Sequence, residues 1–258
     1  MFFVTTFSEK GYIEYGKNML RSYVENCDIP MYVYYEKFKP EIIDSRIRYI
    51  DIFEANPELN LFIKRNKERS VCNFKFDGIR FSYKVFSITN AAINVSNEWM
   101  FWMDADTIFK EKVNCKQMIK KMQDCASLKY SNCINDYDLA CFIRKRTVKR
   151  PPEKCWTECG LVGYNLRNHN TLNFLKIFRN FYTKDKIYQE KQYHDSWIFD
   201  VVRKSLTYGN KLNVLNLNPQ NYSHPIVQSS MGSLFDHLKG KSRKKRGSSP
   251  EKRKNINP

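Results

Sequence analysis

Trp99-Met100-Phe101-Trp102-Met103 runs without a break into Asp104-Ala105-Asp106 and then Thr107-Ile108-Phe109. Five consecutive large apolar residues read as a strand buried on both faces, as in the middle of a parallel sheet. Two carboxylates at its end are too costly to bury unpaired. They are therefore expected at the strand's carboxyl end, where open α/β sheets place their ligands. Residues two apart in an extended chain point to the same side, which lets Asp104 and Asp106 converge on one hard cation with oxygen ligands. The structural alternative is a polar turn that closes the strand. The apolar residues on both sides of Asp-Ala-Asp weigh against it.

Around this stretch the pattern predicts strands at 2–7, 31–35, 47–52, 127–130, 139–143, 158–165 and 212–217. Helices are predicted at 12–26, within 54–70, and at 76–95, 114–124, 171–182 and 194–206, from apolar residues at helical spacing and the flanking stop signals. Alternation of strands and helices implies an α/β fold with a mostly parallel central sheet flanked by helices. With 258 residues, 42% of them hydrophobic and 15% aromatic, the chain is long enough for one large α/β domain. No apolar leader and no window approaching the length of a membrane span is visible. The cysteines at 27, 72, 115, 125, 133, 141, 155 and 159 are scattered, which suits reduced thiols and a cytoplasmic protein. Cys155-x-x-x-Cys159 lacks a second close pair to complete a zinc site.

Lys and Arg number 44 against 27 Asp and Glu, a net charge of +17. Nine of the basic residues, with one acid, fall between His237 and the C-terminus. Such runs are usually solvated surface, and they also suit phosphate-rich partners. Residues 246–258 read as a basic, disordered tail after a domain spanning 1–245.

The same region carries a second motif, His237-x-x-Gly240-x-x-Arg243. Asp104-Ala105-Asp106 with this distant motif resembles the GT-A glycosyltransferases, in the pattern of glycogenin and the bacterial lipopolysaccharide galactosyltransferases. The resemblance implies a GT-A (Rossmann-like) fold and transfer of a sugar from a nucleotide-diphospho-sugar with retention. It implies Mn²⁺ (or Mg²⁺) on Asp104, Asp106 and His237, with Asp104 and Ala105 also meeting the donor. Gly240, Lys241 and Arg243 would hold the donor diphosphate. Here Arg243 stands where the family pattern has Lys, and Lys244-Lys245 replaces its Pro-Trp. Thr5-Thr6 followed by Tyr12 is similar to the family's nucleotide-binding start, in which an aromatic stacks on the base. Arg80 and Lys84 lie on the helix before the metal motif, where the family has a basic residue facing the donor. Glu158 precedes a strand near the sugar in that pattern, and Asp195 opens the helix close to the reaction centre. These two are the candidate catalytic residues.

The chemistry agrees with the residue types. A departing diphosphate gathers charge on oxygen, which a divalent cation stabilises as a Lewis acid. Preorganised Arg and Lys donors add to it. A glycine beside Lys241 and Arg243 permits a loop that folds over the donor. Structural alternatives stand beside each assignment: Asp195 as a helix cap, Tyr12 as a core residue, Arg80 and Lys84 as solvated charges, and His237 as a surface histidine. The acceptor is expected to be a carbohydrate, a lipid-linked glycan or a nucleic acid. A nucleic-acid-binding module, or a transferase acting on a modified DNA base, is the competing function raised by the charge. A nucleotidyltransferase would carry a Gly-rich phosphate loop after the first strand, and Thr5-Thr6-Phe7-Ser8 is not one.

Overall fold

The computed structural model describes residues 1–69, 73–95, 98–128, 131–145 and 155–238. The strands are β1 (Phe2–Ser8), β2 (Met31–Glu36), β3 (Ile47–Asp51), β4 (Trp99–Met103), β5 (Thr107–Phe109), β6 (Leu139–Arg144), β7 (Trp156–Asn165), β8 (Val214–Asn216) and β9 (Phe235–His237). Seven of them form one sheet in the order β3-β2-β1-β4-β7-β6-β8. Its pairings are parallel except those of β7, which runs antiparallel to both β4 and β6.

β4 sits at the centre, and none of its residues is more than 4% exposed. Each such large apolar side chain contributes roughly 1.5–3 kcal/mol on burial. The period-two alternation of a strand sends Trp99, Phe101 and Met103 to one core and Met100 and Trp102 to the other. The first core is covered by α1 (Lys17–Asn26) and, later in the chain, by a helix over Cys115–Ala126. The second is covered by α2 (Pro57–Asn66), α3 (Gly78–Asn94), α5 (His169–Thr183) and α6 (Asp195–Tyr208), the Cys115–Ala126 helix being α4.

Local chemistry fixes the helix starts. Asn114 and Gln117 form a reciprocal capping box at α4. The Asp77 side chain accepts the Arg80 N–H at the start of α3 (3.0 Å). His194 caps α6 through Nδ1, which accepts the Trp197 N–H (3.3 Å). Asp195 is thus not the cap.

Several expectations need correction. Residues 127–128 are not a strand: Ser127 takes a left-handed conformation, φ 56°, that ends α4, and 129–130 lie outside the described residues. The helical segment expected within 54–70 comes in pieces through residue 69. Asp51 caps a short turn, Pro57 starts α2 afresh, and a 3₁₀ turn follows. Within 12–26 the chain forms a π turn at Tyr12–Gly16 before α1. The basic tail, 246–258, is outside the described residues.

The short strands β5 and β9 pair antiparallel, with Thr107 opposite His237 and Phe109 opposite Phe235. Phe3, Phe109 and Phe235 pack edge to face, with centroids 5.3 Å apart for Phe109–Phe235 and 5.7 Å for Phe3–Phe109. This aromatic knot fastens the two-stranded unit to β1.

At the carboxyl end of β2, Glu36 lies in register with Ser8 of β1. Burial, opposed by Lys37, lifts its carboxyl from 4.5 to about 7. The folded chain then holds this proton to higher pH than the unfolded chain does, so its stability falls as pH rises through that window. The Glu36→Gln variant should match wild type below about pH 4.5 and gain on it up to about pH 7, with a constant gap above. Urea melts across this range would show the divergence; a gap independent of pH would contradict it.

Candidate active site

A cleft of about 1080 Å³ opens at the carboxyl edge of β2, β1 and β4, roofed by the start of α3. This is the position at which open α/β sheets receive ligands. β7 reaches the same edge with its first half because it runs the other way. There it leaves the ladder of β6: Cys141 pairs with Val162 but Phe142 with Glu158, so Cys159, Gly160 and Leu161 bulge out of that ladder, and the first two line the cleft. The Gly160 carbonyl accepts the Asp104 N–H (2.8 Å), which fixes the turn after β4.

Asp104, Asp106 and His237 converge in this cleft, each offering one ligand atom, all within 4.8 Å of one another. His237 Nε2 lies 3.2 Å from Asp106 Oδ1 and 3.9 Å from Asp104 Oδ2. The β5–β9 pairing brings the histidine there, and the Leu238 N–H to the Asp106 carbonyl (2.8 Å) closes the ladder. His237 is only 4% exposed. A Cβ on Gly160 would lie 2.6 Å from its Cε1, so only glycine leaves room for the ring. Burial alone would lower its pKa, but the hydrogen bond to Asp106 and the charges of Asp106, Glu158 and Asp104 outweigh that and raise it. The same negative potential attracts a cation, which would have to displace that proton from the ring. Two carboxylates and an imidazole form a mixed oxygen and nitrogen donor set that suits a divalent cation.

Lys84 projects from α3 into the middle of the site. Its ammonium lies 2.9 Å from Asp104 Oδ1, 2.8 Å from Asp195 Oδ2 and 2.7 Å from the Cys159 carbonyl. Burial would lower its pKa, but Asp104 and Asp195 overcome it and hold the group firmly protonated. Trp102 donates its indole N–H to the same Asp104 Oδ1 (2.8 Å). Asp200, buried on α6, accepts the Thr157 N–H (2.9 Å) and hydroxyl (2.7 Å) and pairs with Arg203 (2.7 Å), which anchors the start of β7 beside Glu158.

Of the residues expected from the sequence, Thr6, Arg80, Lys84, Asp104, Ala105, Asp106, Glu158, Asp195 and His237 all line the cleft. Thr5 and Tyr12 do not: Thr5 is fully buried within the sheet, and Tyr12 packs among Phe7 and Phe38. The π turn shifts the faces of the helix, and Tyr15 meets the cleft instead. Burial and then the charge of Asp106 raise the Tyr15 phenol to about 12. Gly240, Lys241 and Arg243 lie outside the described residues. The sequence reading missed Glu36, Trp102 and Phe74. Trp102 was legible in principle, since it shares the side of β4 on which Asp104 emerges. Phe74 is 55% exposed at the rim, packed edge-on against Phe81 at 4.8 Å, with Arg80 over both rings.

No protein-family profile matches the sequence, and no curated protein matches it in sequence. Solved structures do match. The chain is similar to mouse xyloside xylosyltransferase 1 in its apo form, with TM-score 0.51 and 9% identity over 83% of this chain and 84% of that one. It is similar to the galactosyltransferase LgtC, solved with donor and acceptor sugar analogues, with TM-score 0.51 and 13% identity over 93% of this chain and 87% of that one. Sheet order, the acidic turn at the end of the central strand and these neighbours agree: the chain has the GT-A fold of the nucleotide-sugar glycosyltransferases.

Proposed function

We propose that this chain is a metal-dependent glycosyltransferase that moves a sugar from a nucleotide-diphospho-sugar to a carbohydrate acceptor with retention of configuration. The observation that carries this is the convergence of Asp104, Asp106 and His237 within 4.8 Å at the carboxyl end of the central strand of a GT-A sheet. Asp104, Asp106 and His237 would hold Mn²⁺ or Mg²⁺, which supplies Lewis-acid neutralisation of the leaving diphosphate. Thr6, Tyr15 and Glu36 lie at the β1–β2 end of the cleft and suit the nucleoside. Glu158, Asp195 and Ser196 lie at the β7–α6 end and suit the sugar. The order follows from the cation site lying between the two ends.

Asp195 is committed to Lys84, so its role in this proposal is to hold the lysine and orient the sugar. Displacement on the front face, without a protein nucleophile, is compatible with that commitment. Arg80 stands at the rim as a donor for phosphate oxygens. Lys241 and Arg243 follow His237 closely enough in sequence to reach the same oxygens. The exposed ring of Phe74 offers a flat apolar face for an acceptor sugar. No helix among the described residues is long and apolar enough to cross a membrane. A reducing, cytoplasmic setting suits the free cysteines among those residues. The basic excess that raised nucleic-acid binding accounts for nothing at the acidic cluster.

The test is Mn²⁺-dependent hydrolysis of a panel of nucleotide sugars, with the product anomer read by NMR. Asp106→Asn keeps the side-chain shape and removes a charged ligand. It should lower turnover at least about a hundredfold with an unchanged far-UV spectrum; wild-type turnover in this variant would remove the metal site. Gly160→Ala should displace the His237 ring and weaken Mn²⁺ about tenfold while the sheet melts as in wild type. Calorimetric titration measures this, and equal affinities would show that the ring accommodates the methyl group.

A further inference from the structure

We propose that Trp102 is a positioning residue for the cation site: with Lys84 it occupies Oδ1 of Asp104, so that Asp104 presents Oδ2 alone to a divalent cation. This inference rests on the metal-dependent function proposed above.

A carboxylate on a turn can rotate, and it can meet a cation through one oxygen or through both. Here the rotation is blocked. Oδ1 accepts the Trp102 indole N–H at 2.8 Å and the Lys84 ammonium at 2.9 Å. Neither donor can follow Asp104 if it turns. Lys84 is tied at the same time to Asp195 Oδ2 (2.8 Å) and the Cys159 carbonyl (2.7 Å). Trp102 is 2% exposed and packed in the core beneath α3. Its ring lies 4.9 Å from the Lys84 nitrogen, so the two donors also hold each other. A buried indole N–H without an acceptor is costly, which makes the bond to Oδ1 self-enforcing. Oδ2 is left on the His237 side, 3.9 Å from Nε2.

The consequence for ligation is a count. With Oδ1 occupied, Asp104 would give a cation one oxygen rather than two, which would leave one more position for diphosphate oxygens and water. A bidentate Asp104 would take that position. Groups that orient ligands in this way typically change metal affinity 10–100-fold when removed.

The experiment titrates the full chain with Mn²⁺ and reads free Mn²⁺ by electron paramagnetic resonance, without donor. Trp102→Phe removes the N–H and keeps most of the packing. Trp99→Phe is the control: it makes the same change in the same strand on the opposite face, where the indole donates to Asn135 (3.3 Å). Expected is a loss of about tenfold or more in Mn²⁺ affinity for Trp102→Phe and wild-type affinity for Trp99→Phe. Tm values of the two variants in EDTA should be similar. Wild-type affinity in Trp102→Phe overturns the proposal. A wild-type chain that takes up no Mn²⁺ overturns it too, but by removing the cation site itself, which is a visibly different result. If Trp102→Phe does not fold, the indole resonance of the ¹⁵N-labelled wild type decides. It should be protected from solvent exchange and shift on saturation with Mg²⁺; an indole resonance that exchanges freely or ignores Mg²⁺ counts against the role.

Discussion

The ammonium of Lys84 is shared by two carboxylates from different parts of the chain, and the cleft depends on that sharing. Asp104 ends the central strand and Asp195 opens α6, while Lys84 itself belongs to α3. Three elements are thereby held at one point. Desolvating a lysine and two acids is expensive, and a buried pair is often no more stable than apolar residues of the same volume. Its value here is geometric. Breaking it by removing one partner would strand the others, a loss of about 3–5 kcal/mol in buried pairs generally. The arrangement also leaves one excess negative charge beside Asp106 and His237, which is the electrostatic condition a cation site requires.

β7 supplies the other half of the geometry. A parallel strand at that position would bring its carboxyl end to the cleft; the antiparallel β7 brings its beginning, and with it a three-residue bulge. Two backbone carbonyls of the bulge accept from Asp104 and Lys84. Strand interiors rarely offer carbonyls sideways, and bulges next to active sites do so. Gly163 farther along serves packing: a Cβ there would lie 2.7 Å from the Phe101 ring of β4.

What the sequence showed and what it hid divide along physical lines. The run Trp99–Met103 is legible because five apolar residues in succession have few alternatives to a central strand. Asp104 and Asp106 are legible because acids after such a run must emerge. His237 was found through resemblance, since nothing in its own surroundings marks it. The β5–β9 pairing was invisible: each strand has three residues, too few to show a period, and their partners lie far apart in sequence. Tyr12 was misplaced because a π turn breaks the 3.6-residue spacing on which face assignment rests. The expected strand fails at 127–128 because a left-handed helix end stands there, a conformation Ser127 does not advertise. Trp102 was read as core, which it is; the side of β4 it shares with Asp104 follows from strand alternation, whereas the bond of its indole N–H to Oδ1 needed the position of the carboxylate.

The stretch that leads into β9 serves the cleft and the core at once. All seven strands of the main sheet are supplied by residue 216, yet His237 lies twenty-one residues beyond it. The core that packs Trp102 draws its buried residues from positions up to Leu212, whereas the core on the other side of the sheet also draws on Ile226, Met231, Leu234 and Phe235. The stretch that carries His237 to the two acids thus also closes the first core, so the histidine of the cleft and the packing of that face depend on the same docking of β9 on β5.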